Sequence, residues 1–376
     1  MRMARRGGAE WVLKRITYFD HETHRFRIAD IEIDGEWITA VRPPGASTIE
    51  YAVDGRAYAC TPGLIHARSD LQAVLCQSSH LLESGITTAG VICATAGECI
   101  HAATHSPIRL IAHLLLNAFS GARVPQRNYV GDAHAAEVRF FEQIATLVSR
   151  ISGHLMPAMH CPSIVSAQEL VYGQKMAAAL RRKLGFVLSD SASAAQIFGD
   201  RFYCSETQLL EFMQLLQPGT SIWGLSQLTR IDVEILRRSG AEVLGLSDLK
   251  MRIFRQPCAH ATPTTNFGAL FGDCDLNADA AVDAATVAAA AALGDTTCGQ
   301  IAPGMRADLC LFATSTRELG GLGSAAFIDF FGRSRPRLVL IGARKAYESP
   351  SAIISSNSLL PPYWIRSPAP DISARL

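Results

Sequence analysis

The first sixty residues alternate apolar and polar side chains with a period of two, the pattern of strands buried on one face. Trp11-Val12-Leu13, Arg25-Phe26-Arg27-Ile28, Ile31-Glu32-Ile33 and Trp37-Ile38-Thr39-Ala40-Val41 each predict a short strand. Asp34-Gly35 predicts a hairpin turn between the last two. Beyond residue 60 the pattern changes. Strand-like runs at 86–91, 109–115, 154–159, 186–188 and 241–246 are separated by helical runs at 79–85, 135–151, 167–184, 205–216 and 230–240. Another strand begins at Ser221. Such alternation predicts a parallel sheet joined by right-handed crossovers.

The segment 252–275 has no clean period and carries Gln256-Pro257 and Thr262-Pro263, so it predicts a long loop. Residues 277–293 predict one Ala-rich helix with Asn277 as its N-cap. Residues 300–312 return to strand, and 337–347 predict a strand, a turn and a strand. After Ser349 the prolines of Pro361-Pro362 and Ser367-Pro368-Ala369-Pro370 predict a tail without regular structure.

Composition narrows the class. The chain has 376 residues, 48% hydrophobic and 18% charged, enough for one large barrel and a small appended domain. A net charge of +1 gives no reason to expect a nucleic-acid or acidic-membrane partner. The basic start, Met1 to Arg6, runs into Gly7-Gly8-Ala9-Glu10 rather than an apolar stretch, so it does not read as a secretory leader. No stretch has the length of a membrane span. The ten cysteines include no Cys-x-x-Cys pair, and Cys60, Cys93, Cys161 and Cys310, in apolar or strand-like contexts, are expected to be buried thiols in a reducing cytoplasm. His21-Glu22-Thr23-His24 has a metal-like look, but between two strands it predicts a solvated hairpin turn.

Three motifs carry a resemblance. They are Thr61-Pro62-Gly63-Leu64-Ile65-His66-Ala67, Leu82-Glu83-Ser84-Gly85-Ile86-Thr87-Thr88, and Gly299-Gln300-Ile301-Ala302-Pro303-Gly304-Met305-Arg306-Ala307-Asp308-Leu309. Over nearly its whole length the chain resembles the cytosine-deaminase and chlorohydrolase branch of the amidohydrolase superfamily. The resemblance implies an α/β fold with a (β/α)8-like barrel, shortened where the crossovers near 92–108 and 252–275 look trimmed, and a small β-sandwich built from both termini. The implied divisions are a composite sandwich from 1–60 and 299–350, a barrel over 61–298, and a tail over 351–376.

The resemblance also implies a metal site, and the residues at its positions are the wrong ones. Arg68 and Asp70 stand where the first strand places two histidines. Arginine is always charged and has no lone pair to give. Ser189 falls at the strand-five histidine and Gly224 at the strand-six histidine. Gly245-Leu246-Ser247 replaces the strand-seven His-Cys-Pro, and Asp273 is the nearest, weakly aligned candidate for the strand-eight aspartate. Only His160, in Met159-His160-Cys161-Pro162, matches a family pocket residue. The expectation is therefore no metal and no other cofactor.

At the barrel's C-terminal rim the alignment gathers His66, Arg68, Asp70, His160, Ser189, Asp190, Gln227, Asp248 and Asp273. Asp70, His160 and Asp273 are the catalytic candidates. Asp70 would be a base, His160 a proton shuttle, and Arg68 an anchor for an anion. His66, Ser189, Asp190, Gln227 and Asp248 would border the substrate, although packing is the simpler role for His66. Arg68 and Asp70 could equally form an ion pair that fills the lost site. The function expected first is a metal-independent enzyme acting on a small polar nitrogen-containing molecule. Cyclisation, dehydration, elimination or isomerisation suit such groups better than hydrolysis. One alternative is an inactive relative that binds a ligand or a partner. Another is a C–N hydrolase or deaminase with a rearranged mononuclear site from Asp70, His160 and Asp273. A small-molecule substrate, a cytoplasmic location and, by resemblance, a homodimer complete the expectation.

Overall fold

The computed structural model describes residues 10–69, 71–116, 131–151, 153–160, 167–188, 192–224, 228–244, 277–313 and 319–349. The chain opens with strands β1 (Trp11–Asp20), β2 (Arg25–Asp34), β3 (Trp37–Arg42), β4 (Ala52–Asp54) and β5 (Tyr58–Pro62). Strand β2 joins two runs that the alternation keeps apart. The polar residue at the join, Asp30, is fully buried, and its carboxylate accepts hydrogen bonds from the Arg15 N–H at 2.8 Å and the Ser47 N–H at 3.0 Å. These bonds offset the cost of burying the charge and let the strand continue.

Seven parallel strands follow: β6 (Leu64–Ser69), β7 (Ile86–Cys93), β8 (Arg109–Leu115), β9 (Gly153–His160), β10 (Gly185–Val187), β11 (Ser221–Trp223) and β12 (Glu242–Leu244). They pair in sequence order to form a nearly closed barrel. The connecting helices are α1 (Leu71–Glu83), α2 (Ala96–His105), α3 (Gly131–Arg150), α4 (Ala167–Ala179), α5 (Ala192–Phe202), α6 (Glu206–Phe212) and α7 (Arg230–Ser239). The crossover near 92–108 is not trimmed, because it holds the ten residues of α2. Thr95 and Glu98 start that helix with a reciprocal capping box. The motif glycine Gly63 lets β5 run into β6 close against β7. A Cβ there would lie 1.9 Å from the Thr87 hydroxyl.

Two short helices, α8 (Ala278–Ala284) and α9 (Val287–Ala292), replace the single helix expected over 277–293. Asn277 caps α8 as expected, accepting from the Ala280 N–H at 2.8 Å. The break at 285–286 has a cause. The Ala285 carbonyl turns to the β6 edge and accepts the Ile65 N–H at 2.9 Å. At the next residue the Thr286 hydroxyl donates to the Val282 carbonyl at 2.6 Å. Helix α9 packs on both β6 and β12, the two end strands of the barrel sheet.

The C-terminal part adds β13 (Leu309–Ala313), helix α10 (Ser324–Arg333), β14 (Leu338–Ile341) and β15 (Arg344–Glu348). Strand β13 pairs antiparallel with β5, so both termini share one sheet in the order β15-β14-β13-β5-β1-β2-β3, with β4 beside β1. The core of this sheet includes Trp11, Ile16, Ile31, Ile33, Leu309 and Leu340. Fold class and the sandwich from both termini agree with the sequence expectation.

The His21–His24 hairpin is a correction. It does not project into solvent but docks on the helices that complete the barrel. His21 is buried, with Nε2 3.0 Å from the Thr286 hydroxyl, and His24 Nε2 lies 3.0 Å from an Asp283 carboxylate oxygen. Edge contacts of Phe19 with both rings supply the apolar surface that holds the turn down. Of the cysteines, Cys60, Cys93, Cys99, Cys298 and Cys310 are buried free thiols, whereas Cys76 is exposed. Among the described residues no helix is long and apolar enough to cross a membrane.

Candidate functional site

In a parallel barrel the strands deliver their C-terminal ends to one rim, where chemistry is done. Here those ends are Ser69, Cys93, Leu115, His160, Val187, Trp223 and Leu244. Three of the residues singled out in the sequence, His66, Arg68 and His160, have their backbone in these strands. Arg68 is in β6, and His160 closes β9 with its backbone paired to Val187 of β10. Asp70, Ser189, Asp190, Gln227, Asp248 and Asp273 lie outside the described residues, as do the side chains of Arg68 and His160. His66 is buried on β6. Its neighbours Ile65 and Ala67 belong to the barrel's inner cluster, so alternation turns His66 to the outer face, and the register shift between His66 and Ser69 ends that alternation before Arg68.

Below the rim, the inside of the barrel is filled by Ile65, Ala67, Ile111, Met156, Trp223 and Leu244, against Ala289, Ala292 and Leu293 from the α9 segment. One inner position departs from this apolar pattern. His113, on β8, is 1% exposed and meets the Trp223 ring edge-on at 4.9 Å between centroids. Neither His113 ring nitrogen nor the Trp223 Nε1–H has a hydrogen-bond partner of ordinary geometry among the described residues. Burial pushes the His113 imidazole down to about 3, helped by the neighbouring His154 imidazole and opposed by the Ile111 carbonyl. The ring is therefore neutral at physiological pH. Gly185 keeps room beside it, since a Cβ there would come to 3.0 Å from His113 Cδ2. Sequence reading passed over His113. Its signal was the inward parity of β8, which places Arg109, Ile111 and His113 on one face.

At the strand-six ligand position, Gly224 follows β11 directly and has φ +93°, a backbone region that disfavours L side chains. A Cβ there would sit 2.4 Å from the Leu188 carbonyl oxygen. The two chains are held together by the Leu188 N–H donating to the Trp223 carbonyl at 2.8 Å. The position therefore lacks both a ligand and the room for one. Arg68 and Ser189 stand at two further positions that the resemblance assigns to metal ligands, and a guanidinium has no lone pair to give a metal.

The opposite end of the barrel is polar and balanced. Arg109 is bonded to Asp308 at 2.8 and 2.9 Å. Arg182 donates to His154 Nε2 at 3.0 Å, which makes that ring an acceptor and therefore neutral. Burial lowers His154 to about 4, against the pull of Asp295. Arg306 donates to Glu36 at 2.8 Å and stacks on Trp37. This is the floor that joins barrel to sandwich.

No family model matches the chain, and no curated protein matches it. Solved structures do. A triazine hydrolase variant superposes with a TM-score of 0.65 at 15% identity, covering 90% of this chain and 95% of that one. An adenosine deaminase from Xanthomonas campestris with bound zinc gives 0.64 at 14% identity, covering 90% and 93%. The guanine deaminase of E. coli gives 0.59 at 15% identity, covering 90% and 98%. The chain thus has the fold of the amidohydrolase superfamily, as its motifs imply.

Proposed function

We propose that the chain is a metal-independent amidohydrolase-fold enzyme acting on a small polar nitrogen-containing molecule. The observation that carries this reading is Gly224, whose backbone and surroundings leave no place for a metal-ligating side chain. The neighbours named above are a triazine hydrolase, an adenosine deaminase and a guanine deaminase, which favours a nitrogen heterocycle as the substrate class. In this reading Asp70 takes a proton, His160 returns one, and Arg68 supplies the fixed positive charge that a metal supplies elsewhere in the fold. Asp273 adds a second carboxylate, while Ser189, Asp190, Gln227 and Asp248 border the substrate. These groups suit cyclisation, dehydration, elimination or isomerisation. The enzyme works in the cytoplasm on a small molecule, without nucleic acid or membrane, and the homodimer is settled by its mass in solution.

A second reading rests on Trp223. A large side chain directly before the lost ligand, packed with Met156, suits a barrel that binds a ligand or partner without turning it over. Purified full-length protein, screened against triazines, purines and pyrimidines for thermal stabilisation and for turnover, separates the two. Turnover abolished by Asp70→Asn, with ligand stabilisation kept, supports the enzyme. Stabilisation without turnover in the wild type supports the binding protein. Turnover that survives Asp70→Asn removes the proposed base. Turnover that needs added zinc overturns the metal-independent reading.

A further inference from the structure

We infer a surface site for a first-row divalent transition ion on α2, formed by His101 and His105. The two residues are four apart on one helix, so they lie one above the other on the same face. Both are exposed, and their rings stand 4.2 Å apart between centroids with a 35° tilt. His105 Nδ1 lies 2.8 Å from the His101 carbonyl oxygen. A carbonyl can only accept, so Nδ1 carries the proton and Nε2 keeps its lone pair for a ligand. This is the arrangement by which protein-bound imidazoles are aimed at a metal, one nitrogen held by a carbonyl and the other presented. His101 supplies the second imidazole from the preceding turn.

The platform is rigid enough to hold the pair. Thr95 and Glu98 cap the start of α2, and Cys99, Ala102 and Ala103 bury its inner face. Helix α2 leaves the rim end of β7 and returns to the start of β8, so its last turn lies toward the barrel floor. The pair is remote from the candidate rim site and contributes nothing to it. Two imidazoles with water in the remaining positions suit Cu2+ best, then Ni2+ and Zn2+. None of these ions needs the barrel.

The inference bears on any metal analysis of this protein, because an ion on α2 would be counted as one in the barrel. The test is a titration of metal-free, full-length protein with Cu2+ and with Zn2+, read by calorimetry and, for copper, by the nitrogen splitting in its paramagnetic resonance spectrum. One equivalent of copper with two nitrogen ligands is expected. His101→Ala or His105→Ala should each weaken binding by about 100-fold, because the second imidazole then no longer acts as a tethered ligand. Alanine is the best helix former, so both variants keep the helix. Copper that binds the double variant with unchanged affinity and spectrum overturns the site. Zinc that leaves with the double replacement belongs to α2 and leaves the metal-independent reading standing. Zinc held at sub-micromolar affinity beside a lost copper site supports the α2 site and sinks the metal-independent reading.

Discussion

The Arg109 guanidinium and the Asp308 carboxylate form a two-pronged ion pair, 2.8 and 2.9 Å, with side chains 1% and 2% exposed. Arg109 begins the third barrel strand, and Asp308 is the aspartate of the C-terminal motif. The Gly342 N–H donates to the same carboxylate at 2.6 Å. The motif aspartate is therefore the clasp between barrel and sandwich. Removing one partner strands a buried charge, so Asp308→Ala and Arg109→Met should each cost about 3–5 kcal/mol. The double replacement should cost clearly less than the two together. Urea denaturation of all three variants measures the coupling, and simple additivity would remove the clasp.

Acid should weaken the fold before its carboxylates titrate. His21 falls from the ordinary 6.5 to about 4, mainly through burial and then through the charge of His24. His113 and His154 fall to about 3 and about 4, burial again leading. Between 6.5 and these values the unfolded chain holds a proton that the folded chain does not. Stability is therefore full above about 6.5 and is lost as pH falls toward 4. For His21 alone the gap corresponds to roughly 3 kcal/mol. Asp295 is lowered, because its Thr297 hydrogen bonds and the nearby cations outweigh burial, and its loss belongs below the ordinary carboxylate value near 4. Denaturation at several pH values from 7 to about 4.5 should show a falling midpoint. His21→Gln should make the fall shallower. A midpoint that rises on acidification would reverse the sign of the argument.

Much of this architecture was legible in the chain because periodicity and motif order are local signals. Alternation in residues 11–41, the helical run at 230–240 and the cap at Asn277 all read directly. Where reading failed, a distant partner had decided the outcome. The His21–His24 turn looked polar and therefore solvated, but its partners, Thr286 and Asp283, are more than 250 residues away. The helix over 277–293 looked continuous until the β6 edge claimed the Ala285 carbonyl. Helix α2 was missed because its Ala, His and Thr residues make a weak stripe, although Thr95 and Glu98 announce its start. The candidate site was read as a set of substitutions at Arg68, Asp70, Ser189 and Gly224, and of these only Gly224 is described in full. His113 needed the inward parity of β8, which no motif marks.

Asp232 ties two helix starts together. Its carboxylate accepts from the Thr229 N–H at 2.8 Å and the Thr229 hydroxyl at 2.7 Å, completing the cap of α7. The other oxygen accepts from the hydroxyl of Ser205, which itself caps α6. The side chain is 1% exposed. Asp232→Ala should cost about 2–3 kcal/mol, more than one ordinary cap, since it leaves buried donors of both helices unpaired. Asp232→Asn keeps the shape and an acceptor, so it should cost about half of that. Equal losses for the two variants, read by thermal unfolding, would mean that packing rather than capping is at stake.

Gly224 gives the sharpest test of the metal-independent reading. Replacing a rim residue usually disturbs little, but this one has φ +93° and faces the Leu188 carbonyl. Gly224→Ala should cost about 2 kcal/mol or more, from backbone strain and the close contact together. Gly199 is the control. It lies in α5 with nothing within 4 Å of its added Cβ, so Gly199→Ala should be neutral or stabilising by about 0.5–1 kcal/mol. Gly224→His places a histidine where the resemblance expects one and should give no affinity for zinc, because the imidazole cannot enter the barrel without moving β10 away from β11. The zinc measurement is made in a His101→Ala, His105→Ala background, so that α2 takes no part. A stable Gly224→His protein that binds one zinc in that background would show that the position has room for a ligand and would overturn the metal-independent reading proposed above.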